Sequence, residues 1–145
     1  MKSLYLLGII FLLTSCTVKV TPIEYGTDSC DFCTMGIVDN KHASQIVTSK
    51  GKNYKFDAIE CMISYVAENE KEQGPYSHIL VADILNPGEL VPAKDAAFII
   101  SKNIPSPMGA FLSATKSTND ADRLIKENTG NLYTYDQVVK QIKKH

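Results

Sequence analysis

The chain has 145 residues, with 15 Lys or Arg against 16 Asp or Glu and a formal net charge of −1. That balance excludes a binding surface built on excess positive charge, so no nucleic-acid partner is expected, and it offers no strongly acidic face either. The length accommodates one domain or two very small ones, and 44% hydrophobic with 21% charged residues is an ordinary globular balance.

The first residues read as an address rather than as fold. Lys2 gives a positive start, and "LYLLGIIFLL" (residues 4–13) is an apolar run too short to span a bilayer but long enough for a signal-peptide core. It ends in "LTSC", and Leu13 to Cys16 resembles the lipobox of a bacterial lipoprotein signal. On this reading residues 1–15 are a lipoprotein signal peptide, Cys16 is lipidated, and residues 16–27 form a tether to the membrane. Several acyl chains anchor a protein stably, so the expected location is a bacterial membrane, with the domain facing the periplasm or the cell exterior.

Beyond the tether, "GIVDN" (36–40) and "SQIVTS" (44–49) are expected to form a hairpin around Asn40–His42, and "SKGK" turns into a strand at "NYKF" (53–56). The period then changes. Ile59, Met62, Ile63 and Val66 fall at i, i+3, i+4 and i+7, one face of a helix, with Asp57 as its expected N-cap, Glu60 as the capping-box partner and Gly74-Pro75 as its stop. "HILVADIL" (78–85) reads as a strand followed by the turn "NPGE". The second half offers strands at "AAFIIS" (96–101) and "MGAFLSA" (108–114), then a helix from Thr118 to Asn128 that ends near Gly130. Thr134 and Gln137 box the start of a last helix whose buried stripe is Tyr135, Val138, Val139 and Ile142. Met35-Gly36 and Met108-Gly109 each precede an apolar strand, a faint echo between the halves. The expected class is α+β with mainly antiparallel strands in two small lobes, about 28–86 and 87–145.

The sulfur atoms carry the chemistry. With Cys16 assigned to lipid, Cys30, Cys33 and Cys61 remain, an odd number for the oxidising export side. "TDSCDFCTMG" (27–36) sets Cys30, Cys33 and Met35 on one short loop. Cu(I) is soft and takes thiolate and thioether ligands. A thioether has no proton to lose and forms no disulfide, so copper gives Met35 a use. A disulfide or exchanging dithiol at Cys30 and Cys33 leaves Met35 as core filler, and half a zinc site lacks its other half, so these three chemistries stand side by side. Cys61 falls in the first turn of the helix and points away from its apolar face. A helix N-terminus lowers a thiol's pKa, which makes Cys61 a third thiolate or a disulfide partner for Cys30 or Cys33. Met62 lies on the apolar face and is assigned to the core. Met108 sits in "PSPMGAF", where Pro105 and Pro107 stiffen the loop that presents it. His42 and His78 are isolated imidazoles, and His145 ends a basic tail. No nucleophile–base pair, paired acids or phosphate loop is present, so no enzyme is expected.

A lipobox, Cys-x-x-Cys-x-Met near the mature N-terminus, "FDAIECM" opening a helix and a later Met-Gly together resemble the NosL family, over about residues 28–140. The chain departs from the family's common Cys-Gly-Met at Thr34. The resemblance implies a fold of two ββαβ-type units, with residues 28–145 as the NosL-like domain and the two Met-Gly positions paired. It implies a membrane-anchored Cu(I) metallochaperone serving assembly of nitrous-oxide reductase. Its ligands would be Cys33, Met35 and Met108, with Cys30 as a second thiol nearby. It implies as partners the periplasmic component of a NosDFY-type ABC transporter complex and, through it, nitrous-oxide reductase. Because Cys61-Met62 is an additional sulfur pair, delivery to another cuproenzyme remains open. So do a membrane-tethered thiol–disulfide oxidoreductase using Cys30 and Cys33, and a structural lipoprotein with one disulfide.

Overall fold

The computed structural model describes residues 18–143, so the signal peptide and Cys16 lie outside the described residues. Two antiparallel sheets and three helices form an α+β fold. The elements run β1 (Ser44–Thr48), β2 (Asn53–Phe56), α1 (Ile59–Gln73), β3 (Tyr76–Ala82), β4 (Leu90–Pro92), β5 (Ala97–Ile100), β6 (Leu112–Thr115), α2 (Thr118–Asn128), β7 (Asn131–Tyr133) and α3 (Tyr135–Ile142). Among the described residues no helix is long and apolar enough to cross a membrane.

The topology repeats. The first sheet has the order β2-β1-β3-β4 and the second β6-β5-β7. In each, a central strand pairs antiparallel with the strand after it and with the strand that returns from the helix. Each lobe is thus a ββαβ unit, with β4 added at the edge of β3 and α3 appended after β7. The first sheet therefore takes in residues beyond the division expected near residue 86. The repeat does not equate the two Met-Gly pairs. Met35-Gly36 precedes β1, whereas Met108-Gly109 lies between β5 and β6, the place that the turn at 49–52 holds in the first lobe.

One core serves both lobes. Phe56, Ile59, Met62 and Ile63 from the first pack with Phe98, Leu112 and Val138 from the second. Strand alternation explains the second, smaller cluster. Phe98 faces the shared core, while its neighbours Ala97 and Ile99 face Ala121 and Leu124 of α2. Full burial of side chains of this size contributes roughly 1.5–3 kcal/mol each, so the two lobes are held as one unit.

The capping box indicated by the sequence forms at α3, and α2 has a cap that the sequence reading does not single out. Ser117 Oγ accepts from the Asp120 N–H at the start of α2, and Thr134 and Gln137 complete a capping box at α3. Two expectations fail. Residues 36–40 form no strand beyond an isolated bridge between Ser29 and Gly36, so the expected hairpin around Asn40–His42 is absent. This stretch instead closes the cysteine loop, through Gly26 N–H to Ile37 O at 2.8 Å and Ile37 N–H to Asp28 O at 2.9 Å. The second failure is the cap of α1. Its N-cap position is Ala58, extended and without a side-chain cap. Asp57 and Glu60 are drawn into tertiary contacts that outcompete the local box. The short strands β4 and β7, three residues each, carry too little pattern to be seen in the sequence.

Candidate metal centre

The Cys30–Met35 loop is built by local backbone bonds and pinned to β2. Cys30 N–H donates to Met35 O at 2.7 Å, and Thr34 N–H to Cys30 O at 3.0 Å. Asp31 and Lys55 exchange bonds: Asp31 N–H to Lys55 O at 2.8 Å, and Lys55 N–H to Asp31 Oδ2 at 2.7 Å. The Lys55 ammonium spans to Asp28 Oδ2 and Pro22 O, each at 2.6 Å. The strand that receives the loop runs within two residues into the start of α1. The loop's sulfurs are thereby delivered to the N-terminus of the helix that bears Cys61.

Closing the loop requires Thr34 at φ 65°. This left-handed conformation costs an L-residue with a Cβ about 1–2 kcal/mol and costs glycine nothing. The bond from Thr34 Oγ1 to Cys33 O, at 2.6 Å, offsets part of it. A backbone requirement for positive φ is a physical reason for glycine at this position, and Thr34 meets the requirement with strain.

Cys30, Cys33, Cys61 and Asp57 converge, each offering a ligand atom within 4.8 Å of the others. The three cysteines are free thiols; Cys30 and Cys61 are buried and Cys33 is half-buried. Cys33 Sγ–H donates to Asp57 Oδ1 at 3.4 Å. The Cys61 thiol donates to Cys30 and, against the cost of burial and with help from the amides of Cys33, Asp57 and Phe32, brings Cys30 down to about 6. The Cys30 sulfur and burial push Cys61 far up. Burial, followed by Cys30 and Asp57, raises Cys33. Thiolate character is thus favoured on Cys30 and disfavoured on Cys33 and Cys61. Three sulfurs and one carboxylate at this spacing suit a thiophilic ion: three-sulfur coordination fits Cu(I), and a fourth oxygen ligand would also serve Zn(II).

The methionines are arranged differently. Met35 and Met108 are 54% and 43% exposed, so neither is core filler. Met108 lines a cleft of about 660 Å³ together with Phe32, Glu60 and Cys61, which brings it to the same cleft as one cysteine of the cluster. Met35 is not among the residues lining that cleft; it adjoins the cluster through its backbone bond to Cys30. Met62 is fully buried in the core, as its face predicts. His42 is buried elsewhere, its ring nitrogens 2.8 Å from Asp39 Oδ2 and 3.1 Å from Ser113 Oγ, and neither His42 nor His78 joins the cluster. Sequence reasoning missed Asp57. The available signal is an acidic residue four positions before a cysteine at a helix start, a pattern that also reads as a helix cap.

The fold and cluster define a small two-lobed α+β protein with a thiol-rich cluster whose donors suit a soft metal. The chain belongs to the NosL family, whose model matches residues 22–142. Among solved structures it is similar to the crystal structure of the copper chaperone NosL from Shewanella denitrificans, with TM-score 0.70 and 21% identity, covering 83% of this chain and 96% of that one. No curated protein matches the sequence significantly.

Proposed function

We propose that this protein is a membrane-anchored Cu(I) metallochaperone that delivers copper for the assembly of nitrous-oxide reductase. The observation that supports it best is the convergence of Cys30, Cys33 and Cys61 with Asp57 within 4.8 Å, in a chain of the NosL family. Copper is cargo here, not a resident cofactor, and the protein is a carrier rather than an enzyme. Its thiols hold the ion by softness, and the exposed thioethers of Met35 and Met108 complete or hand over the coordination at the surface. Cys16 supplies the lipid anchor that keeps the domain at the membrane, facing the periplasm or the cell exterior. The recipient is the periplasmic component of a NosDFY-type transporter complex and, through it, nitrous-oxide reductase. Membership of the NosL family and the lipobox support this assignment.

Anaerobic titration of the full chain with Cu(I) against a chromophoric chelator, with Zn(II) as competitor, tests the metal. Tight Cu(I) binding that Zn(II) does not displace is expected. Tight Zn(II) binding with Cu(I) surrendered to a weak chelator would remove the copper function. A Cys16→Ser variant should keep the metal site and leave the membrane fraction.

A second reading, thiol–disulfide exchange at Cys30 and Cys33, draws on the low pKa of Cys30. It requires neither methionine, so metal binding that depends on Met108 separates the two.

A further inference from the structure

We propose that Glu60 is a positioning residue for copper binding: it latches the loop that carries Met108 against α1, so that the thioether is held over the cleft wall formed by Cys61. The inference rests on the reading of Met108 as a copper ligand and adds a residue to it.

Glu60 stands in the first turn of α1, directly before Cys61, and is buried. Its carboxylate does not cap its own helix. Oε1 accepts from Ser106 Oγ–H at 2.5 Å and from Ala110 N–H at 3.3 Å, across sequence separations of 46 and 50 residues. These two bonds bracket Met108. Ser101 and Asn103 tie the start of the loop to Asn128 O at the end of α2, at 3.0 and 2.9 Å; from residue 104 to residue 110, the bonds to Glu60 are the only side-chain hydrogen bonds to another element among the described residues.

The loop is otherwise poised to hold a single shape. Pro105 and Pro107 flank Ser106, Gly109 N–H closes a turn on Ser106 O at 3.0 Å, and Phe111 is held at φ 58°. A bulky residue in the left-handed region is a strained one, kept there by its surroundings. Ser106 is buried while Met108, two positions on, is 43% exposed. The latch therefore buries the anchor and presents the sulfur.

Glu60 Oε2 is buried and has no protein hydrogen-bond partner among the described residues. Opening the loop would let water reach Oε2 and offset part of the two bonds lost. The two bonds to Oε1 thus hold the closed position that places Met108.

The test compares Glu60→Ala, Glu60→Gln and Ser106→Ala in the full chain, each alone and with Met108→Leu. Two readouts are used: Cu(I) affinity against a chromophoric chelator, and amide exchange at Ala110 in the metal-free protein. Glu60→Ala should speed exchange at Ala110 and weaken Cu(I) by up to about tenfold, no more than the loss of the Met108 thioether itself. Ser106→Ala should do the same more mildly, without touching the helix that bears Cys61. Glu60→Gln, whose carbonyl oxygen still accepts both bonds, should retain most of the affinity. In the Met108→Leu background Glu60→Ala should cost nothing further. Unchanged exchange at Ala110 in Glu60→Ala overturns the latch even if copper binds well. Equal copper losses with and without Met108 overturn its action through that sulfur. If Met108→Leu itself leaves Cu(I) affinity intact, the ligand assignment falls and the positioning role falls with it, whereas failure of the latch alone leaves Met108→Leu impaired.

Discussion

The two lobes share one plan and differ at the start of their helices. In the second lobe, α2 begins conventionally: Ser117 caps it, accepting from the Asp120 N–H at 3.2 Å, and Asp120 pairs with Arg123 on the surface at 3.1 Å. In the first lobe, α1 begins at Ala58 with no side-chain cap, although Asp57 and Glu60 stand where a capping box would use them. Both acids are spent across the fold, Asp57 on the Cys33 thiol and Glu60 on the loop of Met108. The helix end left free of its cap is where three sulfurs gather. A local stabilising device worth about 1 kcal/mol is absent at the helix start beside the cysteine cluster and present at the starts of α2 and α3.

This contrast breaks most visibly at the sulfurs. Cys33→Ser and Cys61→Ser should each lower Cu(I) affinity by more than the roughly 10–100-fold that follows loss of an outer-shell partner, because a thiolate ligand itself is lost. Chelator competition under anaerobic conditions measures it, and a Cys61→Ser variant that binds like the unaltered chain would reduce the site to the Cys30–Cys33 loop.

Next in size are the thioethers. Met35→Leu and Met108→Leu should each cost about tenfold in Cu(I) affinity, about 1.4 kcal/mol. The apo melting temperature should hardly move, since leucine conserves volume and both side chains are substantially exposed. The double variant should fall short of the product of the two losses. Met62→Leu, deep in the core, should leave copper binding unaltered.

The control on the other helix is Ser117→Ala. Loss of this cap should destabilise the fold by about 1 kcal/mol. Thermal melting should drop by a few degrees while Cu(I) affinity stays put. A copper effect there would mean that the two helix starts are not independent.

Thr34→Gly sharpens the comparison from within the site. Relief of the left-handed strain outweighs the greater chain entropy of glycine, for a net gain of roughly 0.5–1 kcal/mol. Denaturant midpoints of the metal-free protein would register it, and a loss of stability would show that the Thr34 hydroxyl bond to Cys33 O contributes more than the strain costs.

Among the four residues of the cluster, the smallest expected effect on copper belongs to Asp57→Asn. Cu(I) draws on sulfur, so its affinity should change by no more than about threefold, whereas Zn(II), which uses a carboxylate, should bind markedly less well. Parallel titrations with the two ions give the ratio. A large Cu(I) loss in this variant would make the carboxylate a true ligand.

The sequence by itself determined what is encoded over short spans. α2 and the capping box of Thr134 and Gln137 were legible because each depends on side chains three or four positions apart. The apolar face of Ile59, Met62 and Ile63 was legible because helical period and burial coincide. The Cys30–Cys33–Met35 loop was legible as a candidate soft-metal site because its donors lie on one short stretch. Tertiary structure decided everything that requires two distant segments to compete for one group. It turned Asp57 and Glu60 from caps into partners of Cys33, Ser106 and Ala110, because contacts across the fold satisfy them better than their own helix does. It folded residues 36–40 back onto the cysteine loop rather than into a strand, through bonds to Gly26 and Asp28. It also brought Cys61 to Cys30 and Cys33, and Met108 to the same cleft as Cys61, since the docking of loop on strand and of one lobe on the other sets which sulfurs meet.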